Sequence, residues 1–221
     1  MHTYNQSFKT EDGHEVSAYV AAPPAPRATL VVIQEIFGVN EHIKSVVESF
    51  AHASYRVVAP RLFDRIGSDI TVPYTDIPQG RGLVGRIPRE KTELDMRAVL
   101  AHQRSPIGVV GYCWGGSWAF LSACRLDVKC AVSYYGGQIP TWVDEMSPRV
   151  PVQYHLALND AFISSEAQEH VKQKLPDGVF HHYPANHGFN CDARADFHAP
   201  SARSALVRTL SFFNRHLAPI S

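Results

Sequence analysis

The sequence lacks a surplus of charge of either sign. Its 21 lysine and arginine residues equal its 21 aspartate and glutamate residues. Proteins that bind nucleic acids or anionic membrane surfaces carry a basic patch or stripe, because the phosphate groups attract positive charge. We therefore expect neither a nucleic acid nor a membrane among the partners of this chain.

Long hydrophobic runs are also missing. No segment approaches the roughly 18 apolar residues of a membrane-spanning helix. The first residues, MHTYNQSFKTEDGHEV, are polar and contain no apolar stretch of the kind found in a signal peptide. From these two features we expect a soluble protein of the cytoplasm.

Cysteine is scarce, and metal-binding motifs are absent. The four cysteines, at positions 113, 124, 130 and 191, are too few and too irregularly spaced for a disulfide framework. We expect all four to be reduced. No C-x-x-C pair occurs, and the histidines do not follow the H-E-x-x-H spacing of a zinc site. We therefore expect no metal and no cofactor.

The residues that are present predict one α/β domain over residues 1–221. A hydrophobic content of 45% is sufficient for a substantial core. Short apolar runs rich in β-branched residues, such as TLVVI at 29–33, alternate with segments of helical periodicity, such as Ile43, Val46, Val47 and Phe50. This alternation predicts a mostly parallel sheet with helices on both faces.

Two regions depart from that alternation. Residues 4–20 alternate in polarity around the turn dipeptide Asp12-Gly13, which predicts an N-terminal antiparallel hairpin. Residues 61–88 contain many glycine, proline and arginine residues without a sustained period, which indicates a long surface loop. Further strands are predicted at 55–60, 107–112, 129–137, 150–160 and 178–184, and further helices at 89–103, from Trp114 to about Arg125, at 165–175 and along Leu206 to Leu217.

The segment GVVGYCWGG at 108–116 carries the clearest chemical signal. Gly111, Cys113 and Gly115 form the G-x-nucleophile-x-G pattern of a sharp strand-to-helix turn, here with cysteine in the place that serine usually takes. A cysteine in an apolar segment is more often a small core residue. The flanking glycines favour a nucleophile.

Two further residues follow in the order typical of α/β-hydrolases, which is nucleophile, acid and histidine. Asp160 follows a predicted strand and His187 comes after the next one. His187 would take the proton of the Cys113 thiol, and Asp160 would fix the histidine tautomer. The backbone amides of Ile36 and Trp114 are candidates for an oxyanion hole. The alternative for Asp160 is a turn former, since aspartate favours such turns.

Five short motifs together resemble the dienelactone hydrolase family, and they extend over essentially the whole chain. They are QEIFGVN at 34–40, GYCWGG at 111–116, YYGG at 134–137, ND at 159–160 and NHGF at 186–189. The resemblance implies an α/β-hydrolase fold and a Cys113, Asp160 and His187 triad. It also implies a hydrolase that opens a lactone or small ester, like a carboxymethylenebutenolidase, through a thioacyl-enzyme and without a cofactor.

The resemblance also selects Glu35 as a catalytic residue. In the family the matching glutamate lies against the cysteine, where a second negative charge raises the pKa of the thiol. A substrate that displaced Glu35 would let its carboxylate accept the thiol proton, so that the thiolate forms only when substrate is present. The alternative role for Glu35 is a cap of the helix that follows.

Substrate recognition differs from the family pattern. Members that act on dienelactone carry H-x-F-x-R after the catalytic histidine, but here the arginine position is Cys191 and Arg194 lies three places later. The candidate substrate contacts are Arg81, Arg86, Tyr135, Phe37 and Arg194.

Two alternatives to a lactone hydrolase stay open. One is a carboxylesterase for neutral small esters, which the lost arginine position favours. The other is a non-catalytic binding protein or a thiol redox sensor on the same fold, since a fold does not fix a function. A small-molecule substrate is the expected partner, and the protein is expected to be a monomer or a homodimer.

Overall fold

The computed structural model describes residues 1–104 and 106–217. The chain divides into two compact units, one of residues 1–107 and one that begins at Gly108. Within each unit, strands alternate with helices, as the sequence predicts for an α/β protein. The assignment of residues 1–221 to one domain stays a prediction.

The first unit contains four strands in the order β1-β2-β4-β3. The pairs β1 with β2 and β2 with β4 are antiparallel, whereas β3 and β4 are parallel. The predicted N-terminal hairpin is therefore confirmed, and Gly13 in its turn has a φ of 82°. The strands are β1 (His2–Lys9), β2 (Glu15–Ala22), β3 (Thr29–Ile33) and β4 (Arg56–Pro60).

Three helices accompany these strands: α1 (Glu41–His52), α2 (Ile77–Gly85) and α3 (Arg89–Ala101). The Tyr19 hydroxyl donates to Glu48 of α1, and the ring of Phe8 lies 5.5 Å from that of His102, which ends α3. Phe8 pairs with Val16, so Phe8 and Tyr19 point to opposite faces. Helices α1 and α3 thus cover opposite faces of this unit's strands.

Helix α2 corrects the prediction of a continuous loop over residues 61–88. The Asp76 side chain accepts the backbone N–H of Gln79 and caps the first turn. Glycines inside the segment conceal the helical period. One of them, Gly80, is needed for close packing, because a Cβ there would lie 2.6 Å from the carbonyl oxygen of Ile36.

The second unit contains four parallel strands in the order β5-β6-β7-β8. All four were predicted as strands, at 107–112, 129–137, 150–160 and 178–184. They are β5 (Ile107–Tyr112), β6 (Cys130–Tyr134), β7 (Val152–Ala157) and β8 (Val179–Tyr183). The helices are α4 (Trp114–Arg125), α5 (Ile139–Trp142), α6 (Ser165–Lys174) and α7 (Ala199–His216). The short helix α5 was not predicted.

Two helices of this unit lie on opposite faces of strand β6. A Cβ on Gly116 of α4 would lie 3.1 Å from the Ser133 hydroxyl, whereas Thr209 of α7 lies 2.7 Å from the Tyr134 hydroxyl. Consecutive residues of a strand point to opposite faces. The predicted cover on both faces is confirmed here. None of the described helices combines the length and the apolar character that a bilayer crossing requires.

The four cysteines are free thiols. Cys124 and Cys130 are buried, and burial raises the pKa of both thiols to about 12. Thiols of this kind are inert because the reactive thiolate is not populated. Cys124 and Cys130 are therefore packing residues of the core. Cys113, in contrast, is only half-buried.

Candidate active site

Cys113 occupies the turn between β5 and α4. Its backbone has a φ of 54° and a ψ of −115°, a conformation that a residue with a Cβ rarely adopts. The Cys113 N–H donates to the carbonyl oxygen of Tyr134 at 3.0 Å, which ties the turn to strand β6. Trp114 begins α4, so amide groups of the helix N-terminus lie beside the thiol. The predicted strand-to-helix elbow is therefore present.

Two glycines allow α4 to pass this close to the strands. A Cβ on Gly111 would overlap the carbonyl group of Gly115, and a Cβ on Gly116 would overlap the carbonyl oxygen of Tyr134. Any larger residue would push the helix away from β5 and β6. The glycines of the motif therefore have a steric role that the sequence pattern indicates correctly.

His187 joins the other two residues of the predicted triad. Its Nε2 lies 3.1 Å from the Sγ of Cys113, and its Nδ1 lies 2.8 Å from the Oδ2 of Asp160. The His187 and Asp160 side chains are 6% and 1% exposed, so their contact is shielded from solvent. The structure thus brings Asp160, which lies 27 positions away in the sequence, and Cys113, which lies 74 positions away, into contact with His187.

The charge state of His187 follows from these contacts. Burial by itself would lower the pKa of the imidazole, but the negative charge of Cys113 and the hydrogen bond with Asp160 outweigh it. The result is a pKa raised to about 10. An imidazolium beside a cysteine sulfur stabilises the thiolate, which is the nucleophilic form of cysteine.

Two aromatic rings contact His187. The Tyr135 ring centroid lies 4.9 Å away, and Tyr135 is fully buried with a φ of 39°. The Phe162 ring meets the imidazole edge-on at 4.9 Å and is 48% exposed. Tyr135 was predicted as a substrate contact, which stays a prediction, whereas Phe162 was not among the predicted site residues. Its position two residues after Asp160 is the signal that could have identified it.

Arg194 packs directly beside the histidine loop. Gly188 has a φ of 82°, and a Cβ on it would lie 2.5 Å from the central guanidinium carbon of Arg194. The Arg194 side chain is 9% exposed, and its guanidinium lies 3.6 Å from Asp196. Arg194 is therefore packed against Gly188, the residue that follows His187, although Cys191 takes the position at which the family pattern has arginine.

Three predicted site residues follow strand β3 in the first unit. Glu35 and Phe37 are buried, at 1% exposure each. The Phe37 ring lies 4.6 Å from that of Tyr74, and the Ile36 carbonyl packs against α2 at Gly80. The gating role of Glu35, the oxyanion role of Ile36 and the substrate contact of Phe37 remain predictions.

Arg81 and Arg86 are both exposed on the first unit. Arg81 lies within α2, and Arg86 is the residue at its C-terminal cap. Sequence reasoning placed them in a loop, and the structure places them on a helix and at its end. Their contact with a substrate remains a prediction.

The profile of the dienelactone hydrolase family matches residues 16–217, which is most of the chain. The chain belongs to the dienelactone hydrolase family. A carboxymethylenebutenolidase of Pseudomonas sp. strain P51 is 28% identical, covering 97% of this chain and 96% of that protein. A Synechocystis sp. protein provisionally named a carboxymethylenebutenolidase is 31% identical, covering 92% of this chain and 93% of its own.

Solved structures support the same fold. A crystal structure from Klebsiella pneumoniae, provisionally named a dienelactone hydrolase, superposes with a TM-score of 0.84 at 28% identity. It covers 97% of this chain and 100% of its own. A dienelactone hydrolase-like promiscuous phosphotriesterase from metagenomic libraries has a TM-score of 0.77 at 17% identity, over 97% and 98% of the two chains. The second likeness concerns the fold alone. This member of the dienelactone hydrolase family therefore has the predicted α/β-hydrolase fold.

Proposed function

We propose that the protein hydrolyses a lactone or a small carboxylic ester through a thioester intermediate at Cys113. One observation carries the proposal: the imidazole of His187 contacts the Cys113 sulfur on one side and the Asp160 carboxylate on the other. A nucleophile, a base and an orienting acid within hydrogen-bond reach form the arrangement that acyl transfer requires. Membership of the dienelactone hydrolase family supports the same reaction.

The first half of the reaction forms the thioester. The Cys113 thiolate, whose proton resides on Nε2 of His187, attacks the carbonyl carbon of the substrate and gives a tetrahedral oxyanion. As the intermediate collapses, the carbon–oxygen bond of the ester breaks, and Nε2 of His187 donates its proton to the departing oxygen. In a lactone this step opens the ring, so both products of the cleavage stay on one molecule.

The second half releases the product. Nε2 of His187 removes a proton from a water molecule, and the resulting hydroxide adds to the thioester carbonyl. The carbon–sulfur bond then breaks, and Cys113 returns as the thiolate paired with the His187 imidazolium. Asp160 keeps the Nδ1 hydrogen in place throughout, which holds the imidazole in one orientation. The amides of Trp114 and Ile36 are the proposed oxyanion donors, each contributing on the order of 3 kcal/mol in the transition state.

Two observations bear on whether the substrate carries a charge, and they favour different substrates. The guanidinium of Arg194, packed on Gly188 beside His187, supports a substrate with a free carboxylate, since arginine binds carboxylates strongly. Cys191, at the position where the family pattern has arginine, favours a neutral ester instead. We propose the carboxylate-bearing lactone first and the neutral ester second.

Steady-state hydrolysis separates these candidates. We would compare dienelactone, its neutral methyl ester and a neutral aryl ester, with native protein and with Cys113→Ala. A preference for the free carboxylate that is lost in Arg194→Met supports the lactone. Equal or faster turnover of the neutral esters supports the carboxylesterase, and turnover that does not depend on Cys113 refutes the proposed function. A cytoplasmic location and a monomeric or homodimeric state stay predictions of the sequence.

A further inference from the structure

A row of four side-chain rings crosses the parallel strands of the second unit. Its members are register partners on neighbouring strands, namely Tyr112, Tyr134, His155 and His181. Their successive ring centroids are 4.7, 4.3 and 5.5 Å apart. Partners in register share one face of a sheet. We call these four residues the ring row.

Hydrogen bonds fix the centre of the ring row. Nε2 of His155 lies 3.0 Å from the Thr209 hydroxyl, which is also 2.7 Å from the Tyr134 hydroxyl. Nδ1 of His155 lies 2.7 Å from the hydroxyl of Tyr183, and this hydroxyl accepts an N–H of Arg208 at 3.1 Å. Thr209 and Arg208 both belong to α7. The helix thus holds the row from one face.

The chemistry of the groups constrains the protons of this network. The Arg208 guanidinium can only donate, so the Tyr183 oxygen accepts from it, and the neutral imidazole of His155 donates from one ring nitrogen and accepts at the other. Burial, with help from His181 and Arg208, lowers the pKa of His155 well below 6.5. His155 is therefore a neutral imidazole with both nitrogens engaged.

The ring row lies directly beneath the candidate active site. Tyr112 is the residue before Cys113, and the carbonyl oxygen of Tyr134 accepts the Cys113 N–H at 3.0 Å. The carbonyl oxygen of His155 accepts the N–H of Tyr135 at 2.9 Å. Tyr135 in turn places its ring against His187. Backbone groups of the row thus hold both the nucleophile turn and a ring that contacts the histidine.

We propose that His155 is a positioning residue for the hydrolytic reaction. Held by hydrogen bonds to Thr209 and Tyr183, His155 fixes its own strand, β7. Through β7 it fixes the neighbouring backbone at Tyr134, the last residue of β6, and at Tyr135. That backbone sets the distance between the Cys113 sulfur and Nε2 of His187. The inference rests on the proposed function and extends it to residues that contact neither substrate nor the reacting atoms.

A purely structural role would not require these groups. Leucine or phenylalanine would fill the same space without the cost of burying polar atoms. A buried polar network in which every hydrogen bond is made, in contrast, is stable in only one arrangement, because small shifts of its members would break hydrogen bonds. Catalytic geometry is sensitive to such shifts, since a displacement of about 1 Å can lower the rate about 100-fold.

Thr209→Val tests the proposal, because valine keeps the shape of threonine and removes only the hydroxyl. Thr209→Ser restores the hydroxyl. Tyr154→Phe is the matched control, since Tyr154 is a buried residue of β7 whose hydroxyl has no hydrogen-bond partner among the described residues. For each variant we would measure kcat and KM with 4-nitrophenyl acetate, the rate of Cys113 alkylation by iodoacetamide, and the melting temperature.

We expect Thr209→Val to lower kcat about tenfold or more, with KM within about twofold, because positioning acts on the chemical step. Alkylation of Cys113 should slow as well, and Thr209→Ser should recover most of both rates. Tyr154→Phe should leave both rates intact. A Thr209→Val protein with normal kcat and normal alkylation, whatever its melting temperature, overturns the proposal. If Cys113→Ala is as active as wild type, the proposed function is wrong, and the alkylation rates still decide whether Thr209 positions Cys113.

Discussion

Asp160 binds His187 with one carboxylate oxygen and its own loop with the other. Oδ2 lies 2.8 Å from Nδ1 of His187, while Oδ1 accepts the backbone N–H groups of Phe162 and Ile163 at 2.8 and 3.1 Å. The carboxylate therefore has no freedom to rotate without losing several hydrogen bonds. The orientation of the imidazole is thereby tied to the loop between β7 and α6.

Replacing Asp160 by asparagine should lower kcat by about 100- to 10,000-fold, because an amide that donates to Nδ1 would select the wrong histidine tautomer. The measurement is steady-state hydrolysis of 4-nitrophenyl acetate. Asp177→Asn, at an exposed aspartate of the same unit, is the control and should retain full activity. An Asp160→Asn enzyme within threefold of wild type would show that Asp160 only shapes its turn.

The raised pKa of His187 predicts an imidazolium in the resting protein from neutral pH to about 10. NMR of selectively ¹⁵N-labelled histidine should show both ring nitrogens of His187 protonated over that range. Because the charge of Cys113 contributes to the raised pKa of His187, His187 should titrate at a lower pH in the Cys113→Ala protein. A neutral imidazole at pH 8 in the wild-type protein would contradict the raised pKa of His187.

The lowered pKa of His155 predicts a loss of stability in acid. Below 6.5 the unfolded chain takes up a proton at this residue that the folded chain cannot accept, so the free energy of unfolding decreases as pH falls. The decrease is about 1.4 kcal/mol per pH unit until the folded-state pKa is reached. Urea unfolding at pH 8 and pH 5 measures it. His155→Gln, which cannot titrate, should lose less stability over this interval, and an equal loss in both proteins would exclude His155 as the cause.

Arg65 and Asp95 form an ion pair in the first unit, at 2.7 Å, with side chains 12% and 1% exposed. Burial raises the pKa of Asp95, although Arg65 opposes this shift. Arg65→Met would leave the carboxylate buried without its cation and should lower the free energy of unfolding by about 3 kcal/mol. Arg97→Met removes a surface pair with Glu93 and should cost less than about 1 kcal/mol. Similar urea midpoints for the two variants would contradict this assignment.

The gating role of Glu35, with a protonated Cys113 thiol in the free protein, is the alternative to a resting thiolate–imidazolium pair, and it can be tested without knowledge of the substrate. If the carboxylate keeps the Cys113 thiol protonated in the free protein, Glu35→Gln should raise the rate of alkylation by iodoacetamide severalfold at pH 7. Glu41→Gln, an exposed position on α1, is the control and should leave the rate unchanged. An unchanged or slower rate in Glu35→Gln would refute the gate.

The sequence by itself indicated the strands, most of the helices and the identity of the three contacting residues. Apolar runs such as TLVVI at 29–33 predicted buried strands, because a strand buried on both faces must be apolar throughout, whereas alternating polarity around Asp12-Gly13 predicted the N-terminal hairpin. Gly111 and Cys113 revealed the elbow, since only a small residue tolerates the nearby carbonyl of Gly115. Chain order then pointed to Asp160 and His187. Local chemistry was sufficient in each case.

Other features depended on the tertiary structure. Helix α2 was hidden because its glycines weaken the helical pattern, and one of them, Gly80, is needed for close packing against Ile36. The ring row and its hydrogen bonds carry no local motif, since His155, Thr209 and Tyr183 meet only when three distant segments are packed together. The packing of Arg194 against Gly188 likewise arises from the fold of the loop that contains both residues. Sequence patterns indicate the secondary structure that each segment favours by itself. Contacts between distant segments are fixed only when the strands and helices pack.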